Sequence, residues 1–80
     1  MPRKENTSSD HYNDPFPKHL RELMEDRGEK QEQLAKAIGK TRQTVSLYRN
    51  GLSEPDLKTL VAIANYFDVS VDYLLGRKEY

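Results

Sequence analysis

The apolar residues of this 80-residue chain recur with the period of an α-helix from Phe16 onward, and no segment alternates for long enough to predict a strand. Residues 1–15 are polar and almost free of aliphatic side chains, so they cannot bury enough apolar surface to offset the entropy of ordering. The pattern predicts an all-α domain over residues 16–76, preceded by a disordered N-terminal arm at 1–15 and followed by a C-terminal tail at 77–80.

Five helices are predicted from the apolar stripes and from the residues that begin and end them. In chain order they cover about 17–27, 31–38, 42–49, 57–67 and a short stretch after residue 70. The side-chain oxygens of Thr41, Asp56 and Ser70 are suited to cap the last three helices at their N-termini. Gly28 and Gly39 follow helices 1 and 2, where a helix commonly ends in left-handed geometry.

The same stripes predict which side chains face the core. In helix 3 these are Val45 and Tyr48. The inward stripe of helix 4 is assigned to Leu57, Leu60, Val61, Ala64 and Phe67.

The connection between helices 2 and 3 predicts a function. Only residues 39–41 separate the last apolar residue of helix 2 from the start of helix 3, which is the geometry of a helix-turn-helix. The residues left on the outward face of helix 3 are Arg42, Gln43, Ser46 and Leu47. Because arginine and glutamine pair bidentately with guanine and adenine, helix 3 is predicted to read the major groove of double-stranded DNA.

The charge distribution permits this interpretation although the total does not favour it. The chain carries 13 basic and 13 acidic residues, a net charge of zero. Residues 30–49 nevertheless contain five Lys or Arg against Glu32 alone, a local balance of +4. A neutral domain with one basic segment still presents a positive face to a nucleic acid.

Composition excludes several other classes of protein. There is no cysteine, no apolar run of membrane-spanning length and no apolar stretch of a secretory signal, so we expect a soluble intracellular protein. The two histidines stand apart from any cluster of ligands, so neither a metal nor a cofactor is expected. No nucleophile–base or paired-carboxylate arrangement predicts an enzyme.

The segment QEQLAKAIGKTRQTVSLYRNG, followed by EPDLKTLVAIANYFDVSVDYLLG, resembles the five-helix DNA-binding domain of phage repressors and Cro proteins, the XRE-type helix-turn-helix family. The resemblance covers about Phe16–Gly76. It implies a five-helix repressor-like fold and a transcriptional regulator, which we expect to be a repressor. It also implies a homodimer on a pseudo-palindromic operator, and a protein of the bacterial cytoplasm or nucleoid, or a phage-encoded one.

The resemblance assigns roles to individual residues. The four outward residues of helix 3 occupy the family's base-reading positions. Gln31 is expected to bind a phosphate and to brace the first residue of helix 3, and Thr41 and Asn50 occupy backbone-contacting positions. The remaining residues expected at the DNA backbone are the cations Lys30, Lys40 and Arg49.

Three features depart from the family pattern. Arg49 stands where the family commonly has a glutamate, and Met24 stands where helix 1 commonly offers its arginine partner, which leaves Arg49 to reach Glu25 or a phosphate. Lys30 replaces a Ser or Thr cap of helix 2. Residues 52–54 replace a loop that is often basic, so we expect weaker and less salt-sensitive DNA binding than in basic members.

The sequence leaves more than one possibility for the dimer surface and for the class of function. Helix 5 and the tail are expected to form the dimer surface, since they offer Tyr73, Leu74, Leu75 and Tyr80. A rival interpretation is a protein-interaction or antitoxin-type module, in which Leu47 and Leu52 form an apolar patch. A second rival is the DNA-binding part of a larger enzyme.

Overall fold

A computed structural model describes residues 14–77 of the chain. Within that range all regular structure is helical: α1 (Phe16–Arg27), α2 (Gln31–Ile38), α3 (Arg42–Arg49), α4 (Leu57–Phe67) and α5 (Val71–Leu74). The all-α, five-helix prediction is confirmed. Most of the predicted arm and tail, Tyr80 included, lies outside the described residues. None of the five helices is long and apolar enough to cross a membrane.

Side-chain oxygens begin the last three helices, as predicted. The oxygens of Thr41, Asp56 and Ser70 accept a hydrogen bond from the backbone N–H three residues further on, at 3.1, 2.8 and 2.9 Å. Lys30 at the start of α2 has no acceptor to offer, and its own N–H donates to Gln33 Oε1 at 2.8 Å. The expected loss of a side-chain cap at Lys30 is therefore confirmed, and Gln33 supplies the reciprocal half of a capping box.

The five helices enclose one core. Helix α1 packs against α3 and α5, α2 packs against α3 and α4, and α4 packs against α5. The buried apolar side chains are Phe16, Leu20, Leu23, Met24, Leu34, Ala35, Val45, Tyr48, Leu60, Ile63, Ala64, Phe67 and Leu74. Both inward residues predicted for α3 belong to this core.

The predicted inward stripe of α4 is wrong at two positions. Leu57 and Val61 are 75% and 42% exposed, whereas Ile63, which was not assigned to the stripe, is completely buried. The other three residues of the predicted stripe are buried as expected. Because α4 carries apolar residues on more than one face, its period alone does not choose the inward face; packing against α2 and α5 does.

Helix α5 belongs to the core more fully than predicted. The side chain of Leu74 is completely buried, so its assignment to a dimer surface is wrong. Tyr73 and Leu75 are half-buried, and the Tyr73 ring stacks on His19 of α1 with centroids 4.8 Å apart. The short helix therefore serves first to close the core against α1.

Candidate nucleic-acid interface

The turn between α2 and α3 fixes the angle between the two helices. Gly39 adopts the left-handed conformation predicted for it, with φ 73° and ψ 33°. The N–H of Lys40 donates to the carbonyl of Ala35 at 2.9 Å, which closes the end of α2. A Cβ on Gly39 would meet nothing within 4 Å, so glycine is used here for its backbone conformation and not for space.

The N-terminus of α3 emerges directly from this turn. Thr41 Oγ1 accepts from the Thr44 N–H and shares a second hydrogen bond with Thr44 Oγ1 at 3.0 Å. The N–H groups of Arg42 and Gln43 remain without an intrahelical acceptor, as in the first turn of any helix. These donors and the positive end of the helix dipole suit a phosphate oxygen. The Thr41 hydroxyl accepts the cap hydrogen bond through its oxygen, so its O–H can donate either to Thr44 Oγ1 or to a phosphate.

The residues predicted to read bases lie together on the outer face of α3. Arg42 and Gln43 are exposed, Leu47 is 41% exposed and Ser46 is half-buried. The opposite face is fixed in the core by Val45, and by Tyr48, which is 4% exposed. Two long polar side chains and one leucine thus project from a helix whose other face is anchored.

Asn50 has a structural role that its predicted contact must accommodate. Its Nδ2 donates to the carbonyl of Ser46 at 3.0 Å and approaches Ser46 Oγ at 3.5 Å. The amide therefore adds a second donor to a carbonyl that also accepts the backbone N–H of Asn50 at 3.1 Å. Only the second amide hydrogen remains for an acceptor on DNA.

Gln31 and Lys30 lie at the start of α2, and one of the contacts expected there is not formed. Lys30 is exposed and Gln31 is half-buried. The Oε1 of Gln31 is buried and has no hydrogen-bond partner, so the expected brace to the first residue of α3 is not made through it. The phosphate contact expected of Gln31 uses its amide N–H groups, so it does not depend on this oxygen.

Two arginines meet at the C-terminal end of α3: Arg49 of α3 itself and Arg21 of α1. The Nε of Arg49 is buried and finds no hydrogen-bond acceptor among residues 14–77, so the suggested contact with Glu25 does not satisfy that nitrogen. The backbone carbonyl of Arg49 accepts a hydrogen bond from Nη1 of Arg21 in α1. Sequence reasoning missed Arg21, because no local pattern links a residue of α1 to the end of α3.

An acidic residue reduces the positive charge near the turn between α2 and α3. Asp56, the cap of α4, interacts electrostatically with Lys40 and with Lys58. Hydrogen bonds from Thr59 hold the pKa of Asp56 below its usual value, and the two lysines lower it further. Asp56 is thus ionised at neutral pH, and Lys40 contributes less positive potential to the interface than an isolated lysine would.

Apolar side chains are exposed beside the interface. Leu52 and Leu57 are 74% and 75% exposed, and Val61 follows one turn later on the same face of α4. Leu47 on α3 is the only one of these exposed apolar residues placed at a base-reading position. No group of three His, Cys, Asp or Glu side chains within residues 14–77 is arranged to hold a metal ion.

Comparisons with known proteins agree with this geometry. The family model described as Helix-turn-helix matches residues 20–74, more than half of the chain. A Bacillus subtilis (strain 168) protein named "Uncharacterized HTH-type transcriptional regulator YqaE" is 40% identical over 60 residues, which are 75% of this chain and 52% of that protein. The chain therefore spans about half the length of the curated relatives it matches.

Two solved structures share the architecture. A transcriptional regulator from Listeria innocua is 32% identical with a TM-score of 0.77, over 81% of this chain and 61% of that one. The P22 c2 repressor, solved in complex with a synthetic operator, has a TM-score of 0.76 and covers 82% of this chain and 100% of its own. At 23% identity, the second likeness concerns the fold alone.

Proposed function

Because this chain belongs to the Helix-turn-helix family, we propose that it binds double-stranded DNA sequence-specifically as a transcriptional regulator, with α3 in the major groove. One observation carries the proposal: the polar outer face of α3 stands beside the free N–H groups of its first turn, while its inner face is fixed in the core. The relatives named as transcriptional regulators support it.

The outer face of α3 suggests which bases are read. Arg42 is proposed to pair with guanine and Gln43 with adenine, since each side chain forms two parallel hydrogen bonds with that base edge. Leu47 is proposed to contact the methyl group of a thymine. Ser46 is half-buried and its side chain is shorter than those of Arg42 and Gln43. It is therefore proposed to contact only a base edge that lies close to α3.

Six residues are proposed to contact the DNA backbone and set the register of α3. Lys30 and Gln31 are placed at the start of α2, and Lys40 and Thr41 in the turn. Arg49 and Asn50 are placed at the end of α3. Because phosphate contacts carry no sequence information, substituting these residues is expected to weaken binding to all duplexes alike.

We propose that the protein acts as a repressor in the bacterial cytoplasm. Occupying a site on DNA is enough to block other proteins there, and the outer face of α3 is proposed to supply the surface for that. The matched region makes up only 52% of the curated relative. What the relative's whole chain does is therefore not carried over to this protein, and repression is offered as a proposal.

We propose further that two copies bind a pseudo-palindromic operator as a twofold dimer, with half-sites about 34 Å apart. Leu57 and Val61 are exposed and four residues apart on α4, so they present an apolar surface that the core does not use. They join the half-buried Tyr73 and Leu75 as proposed dimer contacts. Sedimentation of the unsubstituted chain and of Leu57→Glu tests this, since loss of a dimer in the variant is expected and an unchanged dimer would exclude α4.

The alternative is a protein-interaction module on the same fold. The exposure of Leu47 and Leu52 favours it, because both lie at or just beyond α3. Leu47→Lys distinguishes the two functions: it abolishes a protein complex and spares DNA affinity only if the alternative holds. The other rival, the DNA-binding part of a larger enzyme, finds no support in the names of the matched relatives, which are transcriptional regulators.

The proposed function is tested by selecting bound sequences from a pool of random duplexes at about 100 mM salt. We expect a palindromic consensus with a G·C pair and an A·T pair in each half-site, positioned for Arg42 and Gln43. No enrichment, with only weak and salt-dependent binding, would contradict sequence-specific DNA binding by this chain.

A further inference from the structure

The C-terminus of α3 is completed by a side chain from another helix. Three of its last four carbonyls, those of Ser46, Leu47 and Tyr48, accept backbone N–H groups that follow in sequence, at 3.1, 2.9 and 3.2 Å. The fourth, that of Arg49, accepts from Nη1 of Arg21, 28 residues earlier in the chain. A tertiary hydrogen bond therefore supplies the partner that the local backbone does not.

Two residues of α1 lie at the same end of α3. The ring of Phe16 meets the ring of Tyr48 edge-on, with centroids 6.4 Å apart. Pro17 lies against the residue that follows Asn50, since a Cβ on Gly51 would stand 3.5 Å from Pro17 Cγ. The tight turn thus fixes the N-terminal end of α3, and α1 fixes the C-terminal end.

Helix α1 makes the same kind of hydrogen bond to a second helix. Nη2 of Arg27 donates to the carbonyl of Phe67, the last residue of α4, at 3.0 Å. The Arg27 guanidinium also lies over the Phe67 ring, 5.8 Å from its centroid. Two arginines on one helix therefore complete two helix C-termini, and only one of those helices presents the proposed base-reading face.

We propose that Arg21 is a positioning residue for base reading, acting through the carbonyl of Arg49 to set the angle of α3. This inference rests on the proposed function. Helix α3 has 8 residues and its N-terminal end is fixed by the turn. With a rise of about 1.5 Å per residue, a tilt of about 5° about that end moves Ser46 and Leu47 by about 0.5–0.7 Å. Binding residues must be held within about 0.5 Å of their productive positions, so such a displacement weakens the base contacts proposed for these two residues.

The test compares Arg21→Met with the matched variant Arg27→Met in the 80-residue chain. Each change removes one arginine donor from one helix C-terminus and keeps an unbranched apolar side chain. Affinities are measured for a duplex bearing the selected consensus and for a scrambled duplex, over a series of salt concentrations, at a temperature where circular dichroism shows each variant folded. Arg21→Lys keeps the charge and a donor, and Arg21→Gln carries the same test should Arg21→Met fail to fold.

We expect Arg21→Met to lower the ratio of specific to scrambled affinity about tenfold, the effect of one impaired base contact. The salt slope should stay unchanged, Arg21→Lys should restore most of the ratio, and Arg27→Met should leave the ratio as it is. Three results would overturn the inference: an unchanged ratio in Arg21→Met, an equal loss in Arg27→Met, or a salt slope smaller by about 0.9, which marks a phosphate contact. Lack of discrimination by the unsubstituted chain would instead overturn the proposed function as well.

Discussion

Replacing Gly39 with alanine tests the physical basis of the turn that sets α2 against α3. The residue has φ 73°, and the left-handed region costs an alanine about 1–2 kcal/mol relative to glycine. No steric cost is added, because a Cβ there meets nothing within 4 Å. Alanine recovers about 0.4–1 kcal/mol by restricting the unfolded chain. We therefore expect a net loss of about 1 kcal/mol in the free energy of unfolding.

Urea denaturation followed by circular dichroism measures this loss, and thermal denaturation should show a midpoint lower by about 4–8 °C. Gly39→Asn should cost less, since asparagine tolerates left-handed geometry, and Gly39→Val should cost more. The matched control is Gly28→Ala, because Gly28 also has an open, left-handed position, φ 62°, at the end of a helix outside the interface.

The two glycine variants separate stability from function. Both are expected to lose similar stability, and Gly39→Ala should keep its DNA affinity within about twofold where it is folded, since nothing around the added Cβ has to move. A loss above about 3 kcal/mol in Gly39→Ala would show a close approach that the structure does not contain. A gain in stability would refute the left-handed turn.

Further predictions concern α4 and the C-terminal end of the fold. Ile63→Ala should destabilise the protein by about 2–5 kcal/mol because the side chain is completely buried. Leu57→Ala, at 75% exposure, should change the free energy of unfolding by no more than about 0.5 kcal/mol. If urea denaturation gave the reverse order, the inward face of α4 would be the one predicted from the sequence. Gly76→Ala should lower the free energy of unfolding by more than the loss of about 1 kcal/mol expected for Gly39→Ala. Gly76 has φ 76°, and an added Cβ would also stand only 2.5 Å from Pro15 Cγ. An equal loss in the two variants would contradict that packing. The lowered pKa of Asp56 means that its ionised form stabilises the fold fully above its usual pKa of 3.8, and that this stabilisation is lost as the pH falls through the lower value of the folded state. Asp56→Asn should therefore show a smaller drop in urea midpoint between pH 7 and pH 3 than the unsubstituted chain, and an identical drop would contradict the assigned cause.

The helices and their ends were predictable because the signals are local. Thr41, Asp56 and Ser70 cap their helices through a backbone N–H only three residues away, and each glycine predicted to end a helix does so with its own φ. The outer face of α3 was predictable for the same reason, since Val45 and Tyr48 fix its rotation. Local chemistry and a short helical period are properties of the sequence itself.

The errors concern long-range packing. Helix α4 presents apolar side chains in several directions, and only its neighbours make Ile63 rather than Leu57 an inward residue. The sequence predicts Leu74 at a dimer surface because it does not show which side chains of α5 pack into the core. The hydrogen bonds from Arg21 and Arg27 span 28 and 40 residues, and no period or motif links such pairs.

The central claim is that the outer face of α3 reads base sequence, and the most direct measurement is a comparison of selected consensus sequences. Random-duplex selection would be run on the unsubstituted chain, on the Arg42→Ala/Gln43→Ala double variant, and on Lys36→Ala as a control that removes charge from the exposed side of α2. We predict that the double variant loses preference at one or two positions per half-site, including guanine, while Lys36→Ala keeps the full consensus. An unchanged consensus in the double variant would contradict base reading by α3.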